Sequence, residues 1–209
     1  MKIKDPIIGE DLTKQSMHDI EEDFIEEAII EQENCINEQF EGIHIQRTVF
    51  KNCRFIGTDF SRISLTDVRF EKCDFSNANM EYASMNRVIF DNCKLVGCNL
   101  EHAYIGHTKF QHSLVNMALF GKAKLEKVLF EHASLQQVDF YRSIFKTIQL
   151  DTCNLNEANF EETPLKGIDV STSQFDTLFV TIDQLKGLKV SPLQAIQFAS
   201  MLGLIVKDS

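Results

Sequence analysis

The 209-residue chain has no tryptophan, three prolines, three tyrosines and nine glycines. So few chain breakers exclude a linker-rich multidomain protein, and the core must be filled by rings that carry no polar group. No run of about 18 uncharged apolar residues occurs, and the start "MKIKDPIIGEDL" has no apolar segment of signal-peptide length behind its lysines. These absences lead us to expect a cytoplasmic protein without a membrane span, whose six cysteines are thiols. There is no Gly-rich phosphate loop, HExxH, GxSxG or CxxC motif. Nothing therefore points to an enzyme, and we expect no cofactor, metal or small-molecule substrate.

Positive charge is also scarce, with 21 Lys and Arg against 31 Asp and Glu. A net charge of −10 argues against direct nucleic-acid binding, whose footprint is a basic patch. The charge is uneven. Residues 1–40 carry 12 acids and 3 bases, residues 41–130 carry 9 and 12, and residues 131–185 carry 9 and 3.

What the chain has in excess is phenylalanine, 17 in all, placed with strict regularity. Every residue whose number is a multiple of five from Phe40 to Val180 is apolar, 14 of them Phe. A helix repeats its face every 3.6 residues and a strand every two, so a period of five fits neither. Two alternate residues pointing inward, followed by a turn of about 90°, satisfy it. Four such units close a square coil of 20 residues, and coils stack at roughly the 4.8 Å strand spacing. The second inward position, three residues after the first, is mostly Ala, Cys, Ser, Thr or Val from residue 43 to 178, as the gaps beside large rings require. Columns 20 residues apart repeat this order: Phe50, Phe70, Phe90, Phe110 and Phe130 in one, and Cys53, Cys73, Cys93, Ser113, Ala133, Cys153 and Ser173 in another. The cysteines of that column are thus expected to be small core residues, not metal ligands.

The expectation is an all-β solenoid of about seven to eight coils, with no inserted loop between residues 40 and 180. Three segments follow: an acidic N-terminal segment and irregular first coil or cap (1–40), the repeat (41–180) and a helical cap (181–209). Residues 16–40 are ambiguous. Ile20, Ile25, Ile30 and Cys35 keep the phase, yet Glu33 and Glu38 occupy inward positions, and Ser16 with Asp19 could open a capping helix. At the other end Ser191, Pro192 and Gly203 delimit a helix that is apolar over more than one face. One face can plug the last coil; the rest needs another partner.

Sorting charges by wall gives an acidic wall, centred on residues 60, 80, 100, 120, 140 and 160, and a basic wall centred on 65, 85, 105, 125, 145 and 165. Carboxylates spaced regularly along a rod can stand where a partner expects DNA phosphates. His102, His107 and His112 fall on three successive walls, all outward, and read as solvated.

The runs "CRFIGTDFSRISLTDVRFEKCDFSNANM" and "CNLNEANFEETPLKGIDVS" resemble the A(D/N)LXX pattern of pentapeptide-repeat proteins. The tail "LKGLKVSPLQAIQFASMLGLIV" is similar to the C-terminal cap of the Qnr family, especially of its Gram-positive members, and of the mycobacterial MfpA proteins. This resemblance implies a right-handed quadrilateral β-helix that forms a homodimer through its C-terminal helix. It also implies a mimic of duplex DNA that binds DNA gyrase or topoisomerase IV and alters fluoroquinolone sensitivity. The chain differs from many Gram-negative members in lacking projecting loops. On this reading the partner-binding residues are Glu81, Glu101, Asp139, Glu161 and Glu162. The dimerisation set is Leu193, Ile196, Phe198, Met201, Leu202, Leu204, Ile205 and Val206. The competing expectation is a solenoid scaffold for an unrelated partner.

Overall fold

A computed structural model describes residues 2–20, 23–201 and 203–207. In chain order the strands are β1 (Thr13–Lys14), β2 (Phe24–Glu26), β3 (Ala28–Glu31), β4 (His44–Lys51), β5 (Ser64–Glu71) and β6 (Ser84–Asp91). They continue as β7 (Tyr104–Gly106), β8 (Lys109–Gln111), β9 (Lys124–Glu131), β10 (Ile144–Asp151), β11 (Ala158–Asn159) and β12 (Leu178–Phe179). A 3₁₀ turn (Ile182–Leu185) and helix α1 (Pro192–Met201) close the chain.

The pairing is parallel with a shift of 20 residues. Ile45 lies on Leu65, Leu65 on Met85, and Phe50 on Phe70, so each coil bonds its backbone to the next. The result is a right-handed quadrilateral β-helix of about eight turns with one C-terminal helix, as the period of five requires. Long strands occupy the basic wall and the wall carrying the Phe50 column. The other two walls are held mostly by single bridges, such as Arg54 to Asp74 and Asp59 to Asn79, with the short β11–β12 pair at the C-terminal end.

The turn between walls has one conformation. Every residue whose number ends in 2 or 7 from Glu27 to Gly167 has positive φ, between 48° and 84°. These left-handed corners bend the strand by a quarter turn and aim the next pair of side chains inward. Inside, the rings stack face to face at strand spacing: Phe50 to Phe70 at 4.8 Å, Phe70 to Phe90 at 5.0 Å, and Phe110 to Phe130 at 4.8 Å. The small inward residues satisfy carbonyls of wall-centre residues in the preceding coil. Ser113 Oγ donates to Phe90 O at 3.2 Å, Ser143 Oγ to Phe120 O at 2.7 Å, and Cys153 Sγ to Phe130 O at 3.4 Å. Serine and cysteine recur at these positions because they fit the gap and close the backbone's hydrogen bonding.

The ladder extends beyond the 40–180 window in which the phase is strict. β2 and β3 pair with β4, so the backbone ladder reaches back to Phe24. Ser16 to Asp19 makes a single turn where a capping helix was the alternative. At the far end Asp169 bridges Lys189, so a partial ninth coil precedes α1.

Candidate partner-binding surfaces

The acidic wall is built on an asparagine ladder. Asp59, Asn79, Asn99, Asp139 and Asn159 occupy one column, which Leu119 interrupts between Asn99 and Asp139. Each Asp or Asn side chain accepts the N–H two residues ahead, for example Glu81 N to Asn79 Oδ1 at 3.2 Å, Glu101 N to Asn99 at 3.0 Å and Glu161 N to Asn159 at 2.9 Å. The amides also link coils, Asn79 to Asp59 and Asn99 to Asn79, each at 3.1 Å. These Asx turns fix the residue that follows, and so hold Glu81, Glu101 and Glu161 in one outward column.

The five acids anticipated on this wall fall into three groups. Glu81, Glu101 and Glu161 lack a basic partner within ion-pair distance among the described residues, and Glu81 and Glu101 are on adjacent coils. Asp139 is part of the scaffold: it accepts from Tyr141 N and from Asn159 Nδ2, both at 2.9 Å. Glu162 is partly neutralised, because Arg142 Nε donates to it at 2.5 Å and Tyr141 Oη at 3.0 Å. The Arg142 hydrogen bond, then that of Tyr141, holds the Glu162 carboxyl below its ordinary range. Apart from Asp139, the ladder residues were missed as functional positions in the sequence. Their signal was the D/N of the repeat.

At the C-terminal end Ser191 and Gln194 cap α1 reciprocally. Gln194 N donates to Ser191 Oγ at 3.2 Å, and Ser191 N to Gln194 Oε1 at 2.8 Å. The Gln194 amide also reaches the open edge of the last coil, donating to Val170 O at 2.8 Å and Ser173 O at 2.7 Å. Phe198, anticipated in the dimerisation set, is buried against Phe175 with centroids 5.4 Å apart, and so plugs the core. Leu193 (68 % exposed), Ile196, Met201, Leu204, Ile205 (89 %) and Val206 face outward, joined by Phe179 and Ile182. Leu202 lies outside the described residues.

A third feature had no counterpart in the sequence reading. Residues 2–14 form a strap along the corner between the basic wall and the Phe50 wall. Thr13 N donates to Glu27 O at 2.9 Å, Ile7 N to Asp67 Oδ1 at 2.9 Å and Lys4 N to His107 Nδ1 at 3.1 Å, while Lys109 pairs with Asp5. Val49 and Ile89 are outward-pointing, yet both are buried along this line. Asp67 is only 6 % exposed, with Arg87 donating to it at 2.5 and 2.6 Å. Burial pushes the Asp67 carboxyl up, but the bonds from Arg87 and Ile7 N–H and the nearby Arg87 and Arg47 charges outweigh it, and the net direction is down. His107 is thus a strap contact, unlike His112, which stacks on His132 at 5.2 Å.

At the N-terminal end His18 sits over the first coil. Its Nδ1 is 3.5 Å from Glu33 Oε2 and its Nε2 3.1 Å from Glu38 Oε2. The Glu38 hydrogen bond and charge raise the His18 pKa above its ordinary value. Among the described residues, no helix is long and apolar enough to cross a membrane.

Comparison with known proteins follows this geometry. The family model described as pentapeptide repeats (8 copies) matches residues 43–81, and the one described as pentapeptide repeat region matches residues 83–160. No curated protein matches the chain. Among solved structures, a trypsin-treated form of QnrB1, a plasmid-mediated fluoroquinolone resistance protein, is 21 % identical over 86 % of this chain and 90 % of its own, with a TM-score of 0.42. Full-length QnrB1 is 15 % identical over 85 % and 100 %, with a TM-score of 0.36. HetL, involved in heterocyst differentiation regulation in the cyanobacterium Nostoc sp. strain PCC 7120, is 15 % identical over 78 % and 87 %, with a TM-score of 0.37. With both matched segments coinciding with the stacked coils, the chain belongs to the pentapeptide-repeat proteins.

Proposed function

We propose that this protein is a Qnr-like interaction protein, not an enzyme, whose homodimer offers its acidic wall to the DNA-binding surface of DNA gyrase or topoisomerase IV. The observation that carries this reading is the outward column of Glu81, Glu101 and Glu161, posed by the asparagine ladder along an unbroken rod. Glu81 and Glu101, on adjacent coils, repel one another, and a cationic cleft that normally holds phosphates relieves that repulsion. The apolar surplus of α1 and the 204–206 tail supports the dimer, since a helix used only as a plug needs one apolar face. With the C-terminal ends together, Glu161 lies nearest the dimer centre.

The test is gyrase supercoiling with increasing protein, with and without a fluoroquinolone. Wild type inhibits, and binding weakens steeply with salt. Changing Glu81, Glu101 and Glu161 to Lys abolishes the effect without unfolding the rod, whereas the same change at Asp91, Asp151 and Asp176 on other walls weakens it far less. If wild type leaves both topoisomerases untouched at tens of micromolar, the reading fails. The scaffold alternative then takes its place.

A further inference from the structure

The first coil breaks the grammar of the repeat at three inward positions. Cys35 occupies a wall centre, where Phe, Leu, Ile, Val or Met stands in every later coil, and Glu33 and Glu38 occupy the two neighbouring small positions. No coil lies above them, so the side chains meet the cap instead. His18, Glu33 and Cys35 bring an imidazole nitrogen, a carboxylate oxygen and a thiol sulfur within 4.8 Å of one another. Cys35 is fully buried. Cys53, Cys73, Cys93 and Cys153 donate their thiols to backbone carbonyls. Neither the Cys35 thiol nor that of Cys98 has such an acceptor among the described residues, and of the two only Cys35 lies beside carboxylates.

We propose that this cluster is a transition-metal site of the zinc class, with His18 Nδ1, Glu33 and Cys35 Sγ as ligands. One sulfur, one imidazole and one carboxylate are a donor set for Zn²⁺, which takes four ligands in a tetrahedron and leaves the fourth place to water. Glu38 then acts through His18, holding its Nε2–H and thereby turning Nδ1 toward the ion, as carboxylates behind ligating histidines do. Burial, with Glu38 and Glu33 adding to it, pushes the Cys35 thiol up to about 12, so without metal it is a protonated thiol and its proton leaves when the ion binds. The competing role for His18 is a plain ion pair bridging two glutamates at the coil end.

Cobalt separates the two. Chelator-stripped full-length protein titrated with Co²⁺ gives a near-ultraviolet sulfur-to-cobalt charge-transfer band, which Zn²⁺ abolishes by displacement. The band is lost in Cys35→Ser. Glu38→Gln keeps the band but weakens binding about 10- to 100-fold, the range for a partner behind a ligand. Glu33→Gln and His18→Asn, at partly exposed positions, serve if Cys35→Ser fails to fold by circular dichroism, and each lowers affinity at least as much as Glu38→Gln. Absence of the band at tens of micromolar Co²⁺, or its survival in Cys35→Ser, overturns the site. So does unchanged affinity in both Glu33→Gln and His18→Asn.

Discussion

β6 and β10 occupy the same two walls three coils apart, in continuous register through Ser84, Tyr104, Lys124 and Ile144. Their inward residues obey the same rule, but their outer faces differ. In β6 the outward Ile89 is 2 % exposed and Arg87 is held by Asp67, whereas in β10 Ile144, Thr147 and Gln149 are exposed and Phe145 is only half-buried. The strap runs beside the first and stops short of the second. The repeat therefore dictates the inside of the rod, and what happens outside depends on a segment 60 to 104 residues away in sequence. Along this one corner the N-terminal half is covered by its own chain and the C-terminal half is bare.

The largest expected effect contrasts these halves at the core. Phe90→Ala removes a ring stacked on both neighbours, Phe70 and Phe110 each at 5.0 Å, and should cost about 3–5 kcal/mol. Phe145→Ala, in the bare half, should cost roughly half as much because water already reaches its ring. Urea unfolding reads both, and equal losses would show that the halves pack alike.

Deleting residues 2–11 tests the strap directly. The apolar burial and hydrogen bonds it supplies are offset by the entropy of ordering an extended segment, which leaves a net loss of about 1–2 kcal/mol. Amide hydrogen exchange should quicken around residues 87–89 and stay unchanged around 147–149. A uniform change along the rod would mean that the strap acts on global stability and not on the corner it covers.

Acid should loosen the same contact. Burial, followed by the charges of Lys127, Lys4 and Arg87, lowers the His107 pKa against a small opposing effect of Glu126. Its contribution is therefore complete above the ordinary histidine range and is lost as pH falls through that range toward the lowered folded value. The Asp67 contribution has the same sign and is lost further down, below the ordinary carboxylate range, as pH approaches its lowered folded value. Protease cleavage within residues 2–12 should rise a few-fold between pH 7.5 and about 5.5, and His107→Gln, uncharged throughout, should flatten that rise. Cleavage that is insensitive to pH would remove His107 from the contact.

The solenoid was legible because one rule is written about 30 times, and each side chain's role depends only on its phase. Corners were legible in position but not in type: Arg, Lys, His, Asn and Gly all adopt the left-handed turn there. The strap was not legible, since it carries no repeat and its contacts are long-range. Its one trace was Val49 and Ile89, apolar at outward positions. Phe198 was read with the dimer set because a helix apolar on several faces does not say which face meets the coil. Asp139 was read as presented charge because the phase of the repeat does not show that Tyr141 N and, from the next coil, Asn159 Nδ2 both bond its carboxylate. Glu33 and Glu38 stood out as inward charges, but only the cap shows that His18 meets them.

The smallest effect has the opposite sign and comes from the bare half. Thr147 stands in the corner column of Arg47, Asp67, Arg87, His107 and Lys127, with φ of 70° where those residues have 48° to 58°. A β-branched side chain resists the left-handed region because its second branch crowds the backbone, whereas asparagine tolerates it well. The Thr147 hydroxyl makes no hydrogen bond among the described residues, and its side chain is exposed, so nothing is lost on replacement. Thr147→Asn should stabilise the protein by about 0.5–1 kcal/mol, read as a higher urea midpoint at unchanged slope. Lys127→Asn, one coil earlier in the same conformation but unbranched, is the control and should stay within about 0.5 kcal/mol of wild type. Equal shifts in the two variants would place the gain in asparagine itself and not in relief of a strained corner. A loss at Thr147→Asn would show that the branched residue is favoured there by a contact that its geometry does not reveal.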